Sequence, residues 1–270
     1  MKTRIRVATY NIHKCRGLDR RTLPDRVASV IGELEADVVA LQEILDVRDG
    51  RPEWDQARLI AGKFADYHRC FGENRRLHGG AYGNMTLSRF PMRGCRNYDV
   101  SWRHRERRGC LRTDIVLGDG SGLHIFNVHL GTSFFERRHQ ARKLLSDDVL
   151  SRITCGGPRI VVGDFNEWTK GLASRLMGEV FEAVDPRAFL RYARTYPGVF
   201  PVLHLDHFYY DRHLSLKAFR PHRSRKAIVA SDHLPLVAEF ETKAVPEARD
   251  PEADPCESRS SPRNTEPELI

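Results

Sequence analysis

The chain has 270 residues, 40% of them hydrophobic and 30% charged, and a formal net charge of +8. That composition fits one large domain or two small ones with a sizeable core, and no apolar run reaches the length of a membrane span. The charge is uneven: residues 241–270 hold eight acidic and four basic side chains, which leaves +12 on residues 1–240. A basic body suits a polyanionic or phosphorylated substrate or an anionic membrane surface, although an arginine-rich surface kept only for solubility has the same composition. The six cysteines, Cys15, Cys70, Cys95, Cys110, Cys155 and Cys256, contain no C-x-x-C pair. They read as reduced thiols, not as a disulfide framework or a zinc site. The first ten residues contain no apolar leader, so a cytoplasmic setting is expected.

Ile5, Val7 and Thr9 alternate with Arg4, Arg6 and Ala8, the period of a half-buried strand, which ends in Tyr10-Asn11-Ile12-His13. A helix is predicted from about Pro24 to Leu34, with Thr22 as its N-cap, Asp25 three residues on, and Val27, Val30, Ile31 and Leu34 on its apolar face. Val38 to Leu41 reads as a buried strand that ends in Gln42-Glu43, followed by a helix near 53–64 and a strand near 66–71. Gly79 to Ser88 reads as a loop entering a strand. Seven arginines within 93–112 lead into a hairpin, Cys110 to Leu117 and Leu123 to Val128, whose second strand ends in Asn127-Val128-His129. Ser133 and Glu136 have capping-box spacing and open a helix to about Arg152. The apolar run Arg159 to Gly163 stops abruptly and presents Asp164-Phe165-Asn166, and a helix is predicted near 169–178. Strands at Leu205 to Tyr210, Leu214 to Phe219 and Leu236 to Phe240 complete the pattern, with Arg220 to Lys226 read as loop. Residues 1–243 are expected to form one domain of two packed sheets with helices outside, and 244–270, rich in Pro, Glu, Ser and Arg, a disordered acidic tail.

The polar residues collect at strand ends. Asn11, Glu43, Asn84, His129, Asp164, Asn166, Asp206, Asp232 and His233 each lie at or beside one, and on a strand Asp164 and Asn166 point to the same side. Gly-Asp-x-Asn also makes ordinary Asx-turns, so this stretch alone decides nothing. Carboxylates and amides favour a hard divalent cation, Mg²⁺ or Mn²⁺, over zinc. Such an ion beside a water-activating carboxylate and histidines suits phosphate-ester hydrolysis. Arg107 and Arg108 have the geometry to grip a phosphate bidentately, and read equally as a solvated arginine cluster. His13, Lys14 and Arg16 follow the first strand and are expected to line the cleft. His207 should point away from Asp206. Trp168 is either an aromatic platform or a core residue opening a helix.

The ordered set Tyr10-Asn11, Gln42-Glu43, Gly83-Asn84, Asn127-x-His129, Gly163-Asp164-Phe165-Asn166, Leu205-Asp206-His207 and Ser231-Asp232-His233 resembles the endonuclease/exonuclease/phosphatase superfamily, over residues 5 to 240. The resemblance implies an α/β fold, a four-layer α/β/β/α sandwich of two mainly antiparallel sheets. It places Glu43, Asn11 and Asp232 around Mg²⁺ or Mn²⁺, with Asp164 handling the attacking water. Asn166 and Asn84 would hold phosphoryl oxygens, Asp206 would orient His233, and His129 would contact the phosphate or assist the leaving group.

Departures narrow the branch. Asn127-Val128-His129 stands where AP endonucleases carry Tyr-x-x-Asn, and Leu203 where they carry Trp. The Trp-containing elements of inositol 5-phosphatases are absent at Val161 to Asn166 and Leu205 to His207. His129 is similar to DNase I, sphingomyelinases and deadenylases, and the whole chain to compact bacterial family hydrolases. The expectation is a metal-dependent phosphodiesterase, first a nuclease. The alternatives are a hydrolase of phospholipid headgroups or small phosphate esters that touches anionic lipid peripherally, and a non-catalytic binding fold. A monomer is expected.

Overall fold

The strand Arg4–Asn11 (β1) shows why the fold is layered. Ile5 and Val7 point into one apolar layer, Ala8 and Tyr10 into another, and all four are buried. A strand covered on both faces needs a layer on either side. A computed structural model describes residues 2–151, 156–167, 171–184 and 194–243 of the chain. Trp168 and the tail 244–270 lie outside them.

Among the described residues, two six-stranded sheets face each other. The first runs β11 (Leu214–Pro221), β12 (Leu236–Thr242), β1, β2 (Val38–Asp46), β4 (Gly80–Ser88) and β3 (His68–Leu77). The second runs β5 (Met92–Asp99), β6 (Gly109–Val116), β7 (Gly122–His129), β8 (Arg159–Asp164), β10 (Asp206–Tyr210) and β9 (Glu182–Ala183). Each contains one parallel pair, β1 with β2 and β7 with β8, and the other pairings are antiparallel. Helices α1 (Pro24–Leu34) and α2 (Gln56–Gly62), with the short helix Arg225–Ala230, cover the outer face of the first sheet. Helices α3 (Phe134–Leu144) and α4 (Leu172–Val180) cover the second. The four layers are those expected.

The inter-sheet layer is built from alternate residues of each strand. Ile5 and Val7, Leu123 and Ile125, Ile160 and Val162, and Phe208 share it. Side chains repeat every second residue, so Asn11, His129, Asp164 and Asp206 lie on this same inward side, where the apolar layer ends. Gly163 makes the close approach possible: its φ is +144°, and a Cβ there would stand 1.9 Å from the Val128 carbonyl oxygen of the neighbouring strand. Only glycine tolerates both.

Several expectations change. Leu23 is the N-cap of helix α1 and makes no side-chain capping bond, so Thr22 is not the N-cap, and Pro24 suits the first helical position. Ser133 is the N-cap of α3 but makes no capping bond, and the Glu136 carboxylate, which would complete a capping box, is instead buried against Gln140. Helix α3 ends at Leu144, and a π-turn, Asp147–Ser151, follows it. Strands β5 and β9 and the helix Arg225–Ala230 were not expected. The first two are edge strands whose polar, exposed residues carry no alternating signal.

The cysteines are corrected too. Cys70 and Cys95 are joined in a disulfide, with Cα atoms 5.8 Å apart, while Cys15 and Cys110 are buried free thiols. Sequence spacing hides the pair because β3 and β5 are the edges of different sheets that meet on one side of the sandwich. The bond closes a 25-residue separation and ties the two sheets together. Cys70→Ser or Cys95→Ser should therefore lower unfolding stability by about 3 kcal/mol, read from urea unfolding without reductant. Wild type in reductant should match the variants, and unchanged midpoints would show that the bond contributes nothing.

Candidate active site

Asp164 is the centre of the site. In register it lies beside His129 on one neighbour, β7, and Asp206 on the other, β10. From the opposite sheet, Asn11 Nδ2 donates to its Oδ2 at 3.0 Å. His129 Nε2 and His233 Nε2 stand 3.6 and 3.7 Å from the same oxygen, and the Asn166 backbone N–H donates to Oδ1 at 2.8 Å. Asp164 is 1% exposed. Burial raises its pKa, Asp206 adds to the rise, and His233 and Asn11 oppose it.

The two histidines are in different states. His233 Nδ1 lies 2.9 Å from Asp206 Oδ2, which also accepts from Thr195 Oγ1 at 2.5 Å. Burial pushes His233 down, but the Asp206 and Asp164 carboxylates overcome it and raise it to about 10, so it is an imidazolium at neutral pH. His129 is lowered well below the ordinary histidine range, by burial first and then by Arg108. Arg108 Nη1 faces His129 Nδ1 at 3.3 Å. A guanidinium cannot accept, so Nδ1 is the acceptor and the single proton sits on Nε2, toward Asp164.

Glu43 does not end its strand. Strand β2 continues to Asp46 through a bulge, in which the register against β4 shifts between Leu41 and Ile44 and Glu43 takes φ +59°. A left-handed non-glycine residue costs about 1–3 kcal/mol and persists where the surroundings over-determine it. The bulge sends the two side chains different ways. Gln42 is buried and bonds Thr9 and Asn127, while Glu43 turns to Asn11 Nδ2 at 3.2 Å and Lys14 Nζ at 2.5 Å. Burial raises the Glu43 pKa, but positive charge from His129 when protonated, and from Lys14, more than reverses it. Asp232 Oδ1 stands 3.3 Å from His13 Nδ1.

The remaining predicted residues divide. Arg108 is 7% exposed, bonds Glu106 as well as His129, and its Nε has no partner among the described residues. Arg107 is exposed, pairs with Asp99 and stands outside this cluster. Asn84 is buried in mid-strand and donates to the Gly109 and Asn127 carbonyls, bridging the sheets. Asn166 gives its side-chain N–H to the Leu130 carbonyl. His207 points away from Asp206, against Phe165 and Tyr209. Thr195 joins the site through Asp206, and a threonine in an irregular segment carries no sequence signal.

Two places suit a cation on paper. Asp164, Asp206 and His233 offer ligand atoms within 4.8 Å of one another. That space is already neutralised by the His233 proton. Glu43 and Asp232 also offer the carboxylate oxygens that a hard divalent ion prefers, and each already draws a basic side chain from the His13-Lys14 turn. The Asn11 amide oxygen accepts from the His13 N–H, so Asn11 serves here as a bridge between Glu43 and Asp164.

A sequence model of the Endonuclease/Exonuclease/phosphatase family matches residues 8–233, from β1 to His233. The chain belongs to that family. The chain is 32% identical over 247 residues to the uncharacterized protein YbhP of Escherichia coli K12, covering 87% of this chain and 95% of that one. Among solved structures it is similar to an endonuclease/exonuclease/phosphatase from Beutenbergia cavernae, at 22% identity and a TM-score of 0.70, covering 91% of this chain and 73% of that one. It is also similar to a mannosyl-6-phosphatase from Bacteroides thetaiotaomicron, at 17% identity and a TM-score of 0.72, covering 87% and 99%. At such identities these structures establish the fold, and the family establishes hydrolytic chemistry.

The charge state of His233 is open to direct measurement. In Asp206→Asn its pKa, followed by histidine NMR titration, should fall from about 10 by more than one unit. The folded protein holds this proton more tightly than the unfolded chain, whose histidine titrates near 6.5. The stabilisation is therefore full below that value and lost as pH rises toward about 10. A titration unchanged in the variant would remove Asp206 as the cause.

Proposed function

We propose that this protein is a divalent-metal-dependent phosphodiesterase, first a nuclease, with Mg²⁺ or Mn²⁺ at Glu43 and Asp232. The observation that carries the reading is the surroundings of Asp164: one buried carboxylate faces an amide, a neutral imidazole N–H and an imidazolium. The carboxylate is of raised pKa and so accepts a proton near neutrality. Water attacks phosphorus and gives its proton to Asp164, and the phosphorus–oxygen bond to the leaving group breaks. The metal, when bound, polarises the phosphoryl oxygens. His129 is neutral and gives a hydrogen bond to phosphate through Nε2–H. It is a poor proton source, and His233, an imidazolium whose Nε2 stands 3.7 Å from the same Asp164 oxygen, donates to a phosphoryl oxygen as charge builds there, while the departing oxygen takes its proton from solvent. Arg108, buried with a free Nε, is the phosphate contact.

The nuclease reading is supported by the +12 body and by the exposed Arg103, Arg105 and Arg107 on the segment that leads to Arg108. One observation favours a second reading, a phospholipid-headgroup phosphodiesterase at an anionic lipid surface. Phe134 and Phe135 are 50% and 63% exposed at the start of α3, five and six residues after His129.

One panel separates the readings: single- and double-stranded DNA, RNA, bis-p-nitrophenyl phosphate and phospholipid vesicles, each with Mg²⁺ or Mn²⁺ and with chelator. A nuclease loses activity steeply as salt rises, whereas hydrolysis of the small diester is nearly flat. Chelator should abolish turnover, and Asp164→Ala should lower it about 10²–10⁴-fold on every substrate. Equal activity of wild type and Asp164→Ala would end the catalytic reading. Arg108→Ala should cost about 10²-fold or more, and Arg107→Ala only about twofold on the small diester.

A further inference from the structure

Both carboxylates assigned to the metal are held by one short turn. The residues after β1, His13, Lys14 and Cys15, have φ values of +45°, +55° and +56°. Three consecutive non-glycine residues in the left-handed region form only where the surroundings enforce it. Here they do. Gln56, fully buried at the start of α2, donates to the Lys14 carbonyl at 2.6 Å and accepts from the Leu45 N–H just beyond Glu43. The Leu23 N–H bonds the Cys15 carbonyl, and Cys15 itself is buried. The His13 N–H bonds Asn11 Oδ1. A turn fixed this firmly delivers Lys14 Nζ to Glu43 and His13 to Asp232, with Lys14 also over the Tyr82 ring.

We propose that Lys14 is a resident cation of the metal site: its ammonium occupies the face of Glu43 that a divalent ion needs, is displaced when the ion binds, and then becomes a partner for the phosphate ester. The inference rests on the assignment of Glu43 to the metal. The ammonium neutralises a partly buried carboxylate that would otherwise share the Asn11 amide with Asp164 without a counter-charge. Displacement costs that pairing, so the metal binds weakly by itself. The freed ammonium regains a partner when a phosphate anion arrives, so metal and phosphate bind cooperatively, and by linkage each raises the other's affinity by one factor. Lys14 thus competes with the ion for Glu43, and its readout is binding of the ion.

The test is Mn²⁺ titration of the full chain, followed by electron paramagnetic resonance, without and with dimethyl phosphate as a diester that is not turned over. Wild type should bind Mn²⁺ about fivefold or more tightly with dimethyl phosphate present. Lys14→Met should bind it about tenfold more tightly than wild type without the diester, and should show a smaller coupling than wild type. Lys14→Arg, which keeps the charge, should retain the coupling, and circular dichroism checks that each variant is folded. Equal or weaker Mn²⁺ binding by a folded Lys14→Met, or an unchanged coupling, overturns the inference while leaving the metal assignment intact. If neither wild type nor Lys14→Met takes up Mn²⁺, or if Glu43→Gln binds it as wild type does, the metal assignment fails and the inference with it.

Discussion

A carboxylate at the end of a sandwich core is the constraint around which this molecule is arranged. Asp164 is 1% exposed, and a buried charge must be given partners or be neutralised. Its partners come from four places in the chain: Asn11 on β1, His129 on β7, the Asn166 backbone, and His233 before β12. They converge because both sheets end their shared layer at the same edge. Removing one member of such a buried set costs about 3–5 kcal/mol, several times what an exposed pair is worth. The site is thus also part of what holds the two sheets in register.

The same two-residue alternation that builds the core builds the site. Ile160 and Val162 fill the layer, and Asp164, next on that side, closes it. Leu123 and Ile125 lead by the same step to Asn127 and His129, and Ile5 and Val7 to Thr9 and Asn11. Between the apolar layer and the charged cluster lies a band of amides. Gln42 donates to Asn127, Asn127 donates to the Leu41 and Met85 carbonyls, and Asn84 donates back to the Asn127 carbonyl. These buried bonds cross from sheet to sheet and fix the spacing of the strands that carry Glu43 and His129. Asn84 earns its burial there, as a tie between sheets.

Electrostatics then sort similar residues into different work. His129 and His233 are equally buried, yet one is beside a guanidinium and the other between two carboxylates. One is neutral and the other charged. Arg107 and Arg108 are adjacent in sequence and point to opposite fates, an exposed pair with Asp99 and a buried contact with His129. Family membership carries the hydrolytic chemistry, while similar folds serve different phosphate esters, so substrate choice belongs to the loops and rim.

The sequence by itself determined the layers, the family, and the inward side of most site residues. Period-two alternation and strand-end polar residues are local signals, and β1, β7, β8 and β10 carry them plainly. It did not determine what depends on long-range apposition. The bulge that turns Glu43 away from Gln42 is set by β4 across the sheet. The Cys70–Cys95 bond requires the edges of two sheets to meet. The Lys14 contact depends on a left-handed turn held by Gln56, forty-two residues away. The separation of Arg107 from Arg108 depends on which of two neighbours faces inward. In each case the deciding partner is distant in the chain, and only the packed structure brings it within bonding distance.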